Sequence, residues 1–248
     1  MGLSGSASSF SFAVWANDGD DGGARVVRDF QLHRDGFQVY PKFHRVSAKM
    51  VGNLDRYSTM HAEELFNSAG AGEDANDGLR RQVPVESFMA EDTDVAALHD
   101  ELVAKVRDMF PGKTPRDMVV LRSDPGCSVQ RAHTDYTAGA LRKVLGDDDK
   151  VPLACVIALM DETRFDVWPG AIRCFDLPDD APVFPHLQLT LNAGDMLVFR
   201  GDLVHGGAAF AVANIRLHMY LDVQGVRRVN NKTFYMDESP YVTHRSGL

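Results

Sequence analysis

The chain has 248 residues, of which 44% are hydrophobic and 25% are charged. These are ordinary globular proportions, so neither a disordered nor a fibrous protein is indicated, and the length suits one domain with one sizeable core. The longest apolar run, residues 153–160, is far too short to span a bilayer. With 26 basic and 35 acidic residues the formal net charge is −9. This charge argues against a nucleic-acid-binding surface, which needs Lys and Arg to neutralise phosphates.

The first residues of the chain and the cysteines indicate the cellular setting of the protein and not its chemistry. Residues 1–25 are rich in Gly, Ser and Asp and are expected to form a flexible tail before a single domain at 26–248. Gly2 fits a loose myristoylation pattern, which the sequence leaves open. The three cysteines have no CxxC spacing and follow no hydrophobic signal segment, so a reducing, cytoplasmic setting is expected. The sequence does not predict an oligomeric state.

The first half of the chain mixes short strands, a loop and one helix. Short strands around an Asp35-Gly36 turn are predicted for residues 26–60, and the composition of 67–82 is typical of a loop. From Asp94 onward, apolar side chains recur at helical spacing until Pro111-Gly112 interrupts them. The residues with this spacing are Val95, Leu98, Leu102, Val106 and Met109. They predict an amphipathic helix.

After this helix the hydrophobic period changes to two, which is typical of strands. Strands are predicted at 118–122, 129–136, 151–160, 165–168, 187–192, 196–200 and 214–223. Turn residues separate them at Pro125-Gly126, Pro169-Gly170, Ala193-Gly194 and Gly206-Gly207. This succession predicts a mostly β (α+β) fold, a jelly-roll core with supporting helices.

Two His-x-Asp pairs are candidate metal ligands. Residues two apart in a strand point to the same face, so His133 and Asp135 can bind one ion. The pattern alone is weak, because nine His in this acidic chain give about one such pair by chance. His33 and Asp35 form the other pair, but they run into a turn and have no downstream partner. His133-x-Asp135 begins the strand-rich half and is followed by His205, so it is the preferred pair.

The combination of His133, Asp135 and His205 has a specific chemistry. Two imidazoles and one carboxylate on one face of a metal leave three positions open, which is the ligand set of Fe(II) sites that activate O2. In that interpretation these residues are both the metal ligands and the catalytic centre. The alternative is a solvent-facing Asp135 beside two histidines of an ordinary core.

The segment 214–223 alternates between apolar and polar side chains. Its polar face carries Asn214, Arg216, His218, Tyr220 and Asp222. In a plain sandwich this face meets water, and Arg216 is exposed. In a barrel the same face can line a cavity, and Arg216 becomes a fixed guanidinium that can bind a carboxylate in a bidentate fork. An acidic protein that binds an anion needs such an inward cation.

The order His133-x-Asp135, His205, Arg216 resembles the Fe(II)/2-oxoglutarate-dependent dioxygenase superfamily, whose core is a double-stranded β-helix. The resemblance implies that Fe(II) binds 2-oxoglutarate through its 1-carboxylate and 2-keto oxygens, while Arg216 holds the far carboxylate. It also implies that O2 is the oxidant and that a C–H bond, of a small molecule in this interpretation, is hydroxylated with release of succinate and CO2.

Other segments refine this resemblance. Residues 191–200 are similar to the strand-turn-strand that precedes the second His in many members, and Asp35-Gly36-Phe37 resembles phytanoyl-CoA-hydroxylase-like members. Many members carry a hydroxyl residue two positions after the Arg, where this chain has His218. Prolyl-hydroxylase-like members usually carry Lys in place of Arg216, and halogenase-type relatives lose the carboxylate that Asp135 retains. Hydroxylation is therefore favoured, with demethylation or desaturation left open.

Side chains near the metal strand are further candidates for contact with the co-substrate. Arg122 and Arg131 border the strand, although surface positions are the alternative for both. His218 shares the polar face with Arg216, although a core histidine is the alternative.

Two other functions fit part of the pattern. A cupin-like metal protein without 2-oxoglutarate shares the jelly-roll and the ligand set, and Arg216 is the residue that discriminates against it. A nucleic-acid- or protein-directed member of the superfamily fits the metal site, but the net charge disfavours a nucleic-acid substrate.

Overall fold

The computed structural model describes residues 12–15, 25–28, 30–60, 63–64, 77–144, 146–178, 180–228 and 234–236. Its strands are β1 (Phe12–Trp15), β2 (Arg25–Arg28), β3 (Phe37–Tyr40), β4 (Glu63–Glu64), β5 (Arg80–Pro84), β6 (Thr114–Ser123), β7 (His133–Thr134), β8 (Leu153–Ala158), β9 (Thr163–Val167), β10 (Leu187–Leu191), β11 (Met196–Arg200), β12 (His205–Gly207), β13 (Asn214–Asp222) and β14 (Phe234–Tyr235). Its α-helices are α1 (Leu32–Asp35), α2 (Ala48–Met60), α3 (Thr93–Met109) and α4 (Ala138–Leu141). The mostly β architecture is the predicted one.

The larger sheet has the strand order β3-β11-β8-β13-β6-β5-β4, and its paired strands are antiparallel. β13 lies in its middle, between β8 and β6. The apolar residues of β13 alternate along the strand and pack in one core cluster with buried residues of α2 and α3. This arrangement confirms that helices support the sheet.

The smaller sheet has the order β10-β9-β12-β7-β14 and is also antiparallel. Phe165 of β9 and Leu189 of β10 pack in a second core cluster with Val156 of β8 and Phe199 of β11. The two sheets therefore lie face to face, as in a jelly-roll. Because helices cover the other face of the larger sheet, the polar face of β13 lies inside the protein.

Helix α3 has a defined beginning and end. The Asp92 carboxylate is its N-cap and accepts hydrogen bonds from the backbone N–H groups of Asp94 and Val95 at 2.9 and 3.1 Å. The same side chain accepts bonds from Asn53 Nδ2 and Tyr57 Oη of α2, at 2.8 and 3.1 Å. The Asp92 carboxylate thus caps the N-terminus of α3 and links this helix to α2 by hydrogen bonds. Within the described ranges, no helix is long and apolar enough to cross a bilayer.

Three of the predicted turns contain a glycine in the left-handed region, namely Gly126, Gly170 and Gly194, with φ of 85°, 81° and 91°. At Gly194 a Cβ would lie 2.2 Å from the carbonyl oxygen of His44. That turn therefore requires glycine both for its dihedral angle and for the close approach of the neighbouring backbone.

Two predictions for the first half of the chain are wrong. Residues 48–60 form the helix α2 instead of short strands, and Leu54 on its buried face packs under the larger sheet. Residues 80–82 belong to β5 instead of a loop, because β5 pairs along β6 with Arg80 opposite Ser123. That pairing is long-range, so local composition carries no sign of it.

The strands that hold the histidines also differ from the prediction. Gly206-Gly207 was expected to be a turn, but it lies in β12, where Gly206 is opposite Asp166 of β9. β7 covers only His133–Thr134 of the predicted 129–136.

The predicted tail at 1–25 is not wholly without structure, because Phe12–Trp15 forms β1 and pairs with β2. Its other residues, including Gly2, lie outside the described ranges except for Arg25 in β2. The single domain at 26–248 stays a prediction.

Removal of the Asp92 side chain is expected to destabilise the fold. Asp92→Ala deletes the N-cap of α3, which alone costs about 1–2 kcal/mol, and it also removes the bonds to α2. Denaturant titration of the full chain measures the free energy of unfolding. The control is Asp108→Ala in the exposed last turn of α3, expected to change that energy by less than about 0.5 kcal/mol. Equal effects of the two substitutions would contradict the role given to Asp92.

Candidate metal centre

Antiparallel pairing brings the predicted metal ligands together. β7 and β12 are neighbours in the smaller sheet, and His133 lies directly opposite His205. Their ring centroids are 4.4 Å apart. Asp135 follows β7 closely and places its Oδ1 3.6 Å from His205 Nε2. All three residues are buried, and one ligand atom from each lies within 4.8 Å of the others. The described residues offer no second group of this kind.

Backbone carbonyl groups orient both imidazole rings. His133 Nδ1 lies 2.7 Å from the carbonyl oxygen of Arg131, and His205 Nδ1 lies 2.9 Å from that of Leu203. A ring nitrogen that faces a carbonyl oxygen carries the proton, so in the neutral rings the lone pair lies on Nε2. Fixing the tautomer through the outer nitrogen is the usual way in which proteins prepare a histidine for a metal.

Aromatic side chains hold His205 in place. The ring of Phe165 is stacked on it, with centroids 5.4 Å apart and planes 13° apart. Phe199 contacts it from another direction at 4.6 Å. These rings come from β9 and β11, one strand from each sheet, so His205 is fixed by the packing of the two layers.

Asp135 is a buried carboxylate beside imidazoles. Burial acts to raise its pKa, but His205, followed by His218 and His133, lowers it by more, and the net pKa lies well below the ordinary value. Asp135 is therefore ionised near neutral pH. Its Oδ2 has no hydrogen-bond partner among the described residues. A divalent cation would give this oxygen a partner, so the donor set fits a metal such as Fe(II).

Arg216 is buried, which excludes the exposed alternative. Its Nη1 donates to Ser123 Oγ at 3.1 Å and lies 3.5 Å from Asn214 Oδ1, while its guanidinium lies over the ring of Phe210. Its Nε has no partner in the described part of the chain, which also offers it no carboxylate. Burial, followed by the charge of Arg80, lowers the pKa of Arg216 to about 9. The guanidinium therefore stays protonated near neutral pH.

His218 lies two residues after Arg216 on the polar face of β13, and the charges of Asp135 and His205 act on its pKa. Its ring meets Tyr220 edge-on at 4.5 Å and lies 6.4 Å from Phe199. Burial lowers the pKa of His218 to about 4, although Asp135 acts to raise it. The imidazole is therefore neutral near pH 7 and can either donate or accept a hydrogen bond.

The structure does not bring Arg122 to this interior. Arg122 lies on β6 opposite Ile215, a residue of the helix-covered core. Its guanidinium donates to Asp124 Oδ1 at 2.6 Å and to Asp55 of α2. Arg122 therefore joins α2 to the sheet, and its side chain has no place in the co-substrate site.

Arg131 contributes its backbone carbonyl to His133. Its guanidinium lies over the ring of Tyr235, 4.2 Å from the ring centroid.

Arg80 and Ser123 are buried polar residues beside Arg216 that were not predicted from the sequence as site residues. Arg80 begins β5, inside the predicted loop, and Ser123 lies one residue beyond the predicted strand 118–122. Neither stands in a recognisable pattern, since Arg80-Arg81-Gln82 lacks strand-like alternation. Only the pairing of β5, β6 and β13 reveals that they belong together.

No family model and no curated protein matches this chain, but solved structures do. The epimerase SnoN, in complex with Fe3+, alpha ketoglutarate and nogalamycin RO, has a TM-score of 0.54 at 17% identity over 77% of this chain and 80% of SnoN. The alpha ketoglutarate dependent carbocyclase SnoK from nogalamycin biosynthesis has a TM-score of 0.53 at 17% identity over 77% of this chain and 81% of SnoK. HygX from Streptomyces hygroscopicus, with nickel and 2-oxoglutarate bound, has a TM-score of 0.52 at 16% identity over 78% of this chain and 85% of HygX. The chain shares their fold.

This likeness confirms the predicted jelly-roll core. The resemblance to the Fe(II)/2-oxoglutarate-dependent superfamily is confirmed at the level of the fold, and the phytanoyl-CoA-hydroxylase-like branch stays a prediction. Identities of 16–17% assign no roles to residues. The roles of residues in this jelly-roll therefore depend on the geometry of its own site.

Metal binding is expected to need all three ligands. Mn(II) added to the metal-free protein should raise its Tm, because a ligand that binds only the folded state stabilises it. Asp135→Ala and His205→Ala should each weaken binding by more than the roughly 10- to 100-fold that loss of an outer partner costs. Titration calorimetry measures the affinity. His33→Ala, an exposed histidine of the other His-x-Asp pair, is the control. Wild-type affinity in Asp135→Ala would exclude this metal site.

Proposed function

We propose that the protein is a non-haem Fe(II)- and 2-oxoglutarate-dependent oxygenase that oxidises a C–H bond of a small molecule. One observation carries the proposal. A buried His-Asp-His ligand set and a buried guanidinium without an anionic partner among the described residues lie in the same interior between the two sheets. The likeness in fold to SnoN and HygX, which are described with 2-oxoglutarate and a metal bound, supports the same assignment.

His133, Asp135 and His205 would hold the iron on one side and leave three positions for co-substrate and O2. When bound, the iron supplies O2 activation coupled to the oxidative decarboxylation of 2-oxoglutarate to succinate and CO2. The protein's part is to fix the ligand geometry and to keep water out. Burial of all three ligands and the rings packed on His205 serve both purposes.

Arg216 would bind the far carboxylate of 2-oxoglutarate. A guanidinium matches a carboxylate in a bidentate fork, and the pair is strong where water is excluded. A cupin-like protein without 2-oxoglutarate has no need of this buried cation, and this is why Arg216 favours the oxygenase. His218 is proposed as a further polar contact of the co-substrate, because its neutral imidazole can donate or accept a hydrogen bond.

The proposed reaction is hydroxylation of a small molecule. SnoN is an epimerase and SnoK a carbocyclase, so one fold serves several outcomes and does not select among them. Halogenase-type members lack a carboxylate at this ligand position. This chain has Asp135 there, which favours hydroxylation. The net charge of −9 and the nogalamycin RO bound to SnoN both support a small molecule over a nucleic acid.

Anaerobic addition of Fe(II) and 2-oxoglutarate is expected to produce the weak visible charge-transfer band of the iron chelate. Arg216→Met should weaken 2-oxoglutarate binding by roughly 100-fold, because a buried charge-assisted pair is lost, while Mn(II) affinity stays the same. Arg122→Met is the matched control, since Arg122 lies in the same sheet on its other face. Absence of the band in folded wild-type protein would refute the proposed function.

Substrate-stimulated release of succinate is expected with a small molecule. A screen of metabolites, with Fe(II), O2 and 2-oxoglutarate present, should reveal compounds that increase succinate above the uncoupled background. Methylated oligonucleotides are the comparison set, and the acidic surface should give them no stimulation. Stimulation by oligonucleotides alone would assign the enzyme to nucleic acid instead.

A further inference from the structure

Ser123 lies between two buried guanidinium groups. In the larger sheet Ser123 is opposite Arg80 of β5 on one side and Asn214 of β13 on the other. Its Oγ accepts a hydrogen bond from Arg80 Nη1 at 3.2 Å and another from Arg216 Nη1 at 3.1 Å. Ser123, Arg80 and Arg216 are all buried. One hydroxyl therefore joins two cations inside the protein.

The hydroxyl proton of Ser123 is the one hydrogen-bonding group of this side chain without a described partner. A serine hydroxyl has two acceptor lone pairs and one O–H donor. The two guanidinium groups occupy both lone pairs of Ser123 Oγ, and the described residues provide no acceptor for its proton. With both lone pairs occupied, the proton takes the remaining bonding direction of the oxygen, away from both guanidinium groups. A buried hydroxyl in this state is prepared to donate to an anion.

The two arginines differ in how they are held. Arg80 Nη2 donates to the carbonyl oxygens of Ser128 and Ala208, the latter at 2.7 Å, so its guanidinium is fixed to the backbone. Arg216 uses Nη1 for Ser123 and leaves its Nε without a partner in the described chain. Arg216 thus keeps guanidinium N–H donors that can bind a carboxylate, whereas those of Arg80 are engaged with the backbone and Ser123.

We propose that Ser123 is the second anchor of the far carboxylate of 2-oxoglutarate, donating its hydroxyl proton to one carboxylate oxygen while the guanidinium of Arg216 binds the carboxylate. Arg80 is a positioning residue, because its bond to Ser123 Oγ turns the hydroxyl proton toward the carboxylate and its charge raises the local positive potential. This assignment rests on the proposed function.

The arrangement predicts selectivity for a co-substrate with a far carboxylate. 2-Oxopentanoate has the same chain length and the same metal-chelating end, but a methyl group in place of that carboxylate. It would leave the Ser123 hydroxyl and the Arg216 guanidinium without an anion, and such unpaired buried groups are the strongest means of rejecting an analogue.

The test is the affinity of the Mn(II)-loaded full chain for 2-oxoglutarate and for 2-oxopentanoate, measured by calorimetry. Ser123→Ala is expected to weaken 2-oxoglutarate binding by roughly 10- to 100-fold, which is the loss of a hydrogen bond to a charged group. Binding of 2-oxopentanoate and of Mn(II) itself should stay within about twofold, since neither contacts the hydroxyl. Ser58→Ala removes another buried serine hydroxyl, on α2, and is the matched control.

Arg80→Gln provides the second measurement. It removes the charge but keeps a donor, and it is expected to weaken 2-oxoglutarate binding by about tenfold without changing 2-oxopentanoate binding. A purely structural role would weaken both acids equally, so the ratio of the two affinities separates positioning from folding.

The outcomes separate this inference from the proposed function. If the Mn(II)-loaded wild type binds no 2-oxoglutarate, the proposed function is refuted and the inference with it. If wild type binds 2-oxoglutarate and Ser123→Ala binds it equally well, the anchor assignment alone is overturned. Equal weakening of both acids by Ser123→Ala also overturns it. A selective loss of 2-oxoglutarate affinity confirms it.

Discussion

From Asn214 to Met219 neither face of β13 meets bulk water, and the candidate site depends on this constraint. Helices α2 and α3 cover the apolar face, and the smaller sheet covers the polar face. Side chains that water would solvate in an open sheet are therefore desolvated, as the lowered pKa values of Arg216 and His218 reflect. Burying a charge without an opposite partner costs several kcal/mol. A fold that keeps Arg216 in this position gives up stability that only an anionic ligand would restore.

The metal ligands depend on a second constraint, the register between β7 and β12. A slip of one residue would turn one imidazole to the outer face of the smaller sheet, because side chains alternate along a strand. Gly207 and Gln130 oppose such a slip: the Gly207 N–H donates to Gln130 Oε1 at 2.8 Å, and the Gln130 N–H donates to the Gly207 carbonyl at 2.8 Å. A Cβ at Gly207 would lie 2.4 Å from Gln130 Oε1. Gly207 therefore helps to fix the register that brings His205 opposite His133.

The sequence predicts those parts of the site that are encoded by local periodicity. The alternation along β13 identifies Arg216 and His218 as members of one face, and helical spacing identifies α3, because both patterns reflect side-chain direction within a single element. Which element pairs with which is decided by contacts between distant segments. For this reason β5, and with it Arg80, is missed, and the glycines of β12 are mistaken for a turn. Arg122 is wrongly predicted to contact the co-substrate, because its position next to the metal strand in the sequence does not reveal which face of β6 it occupies.

Asp135 and Arg216 carry opposite charges in one interior, yet no ion pair joins them. Asp135 acts electrostatically on His218 and Tyr220, whereas the Arg216 guanidinium lies at Ser123 and Asn214, so the carboxylate and the guanidinium lie toward different ends of the polar face. A ligand that suits both must present a cation at one end and an anion at the other. Fe(II) chelated by 2-oxoglutarate has this form, and the charges of metal and dianion cancel. Its binding would thus give each buried group an opposite charge without adding net charge to the interior.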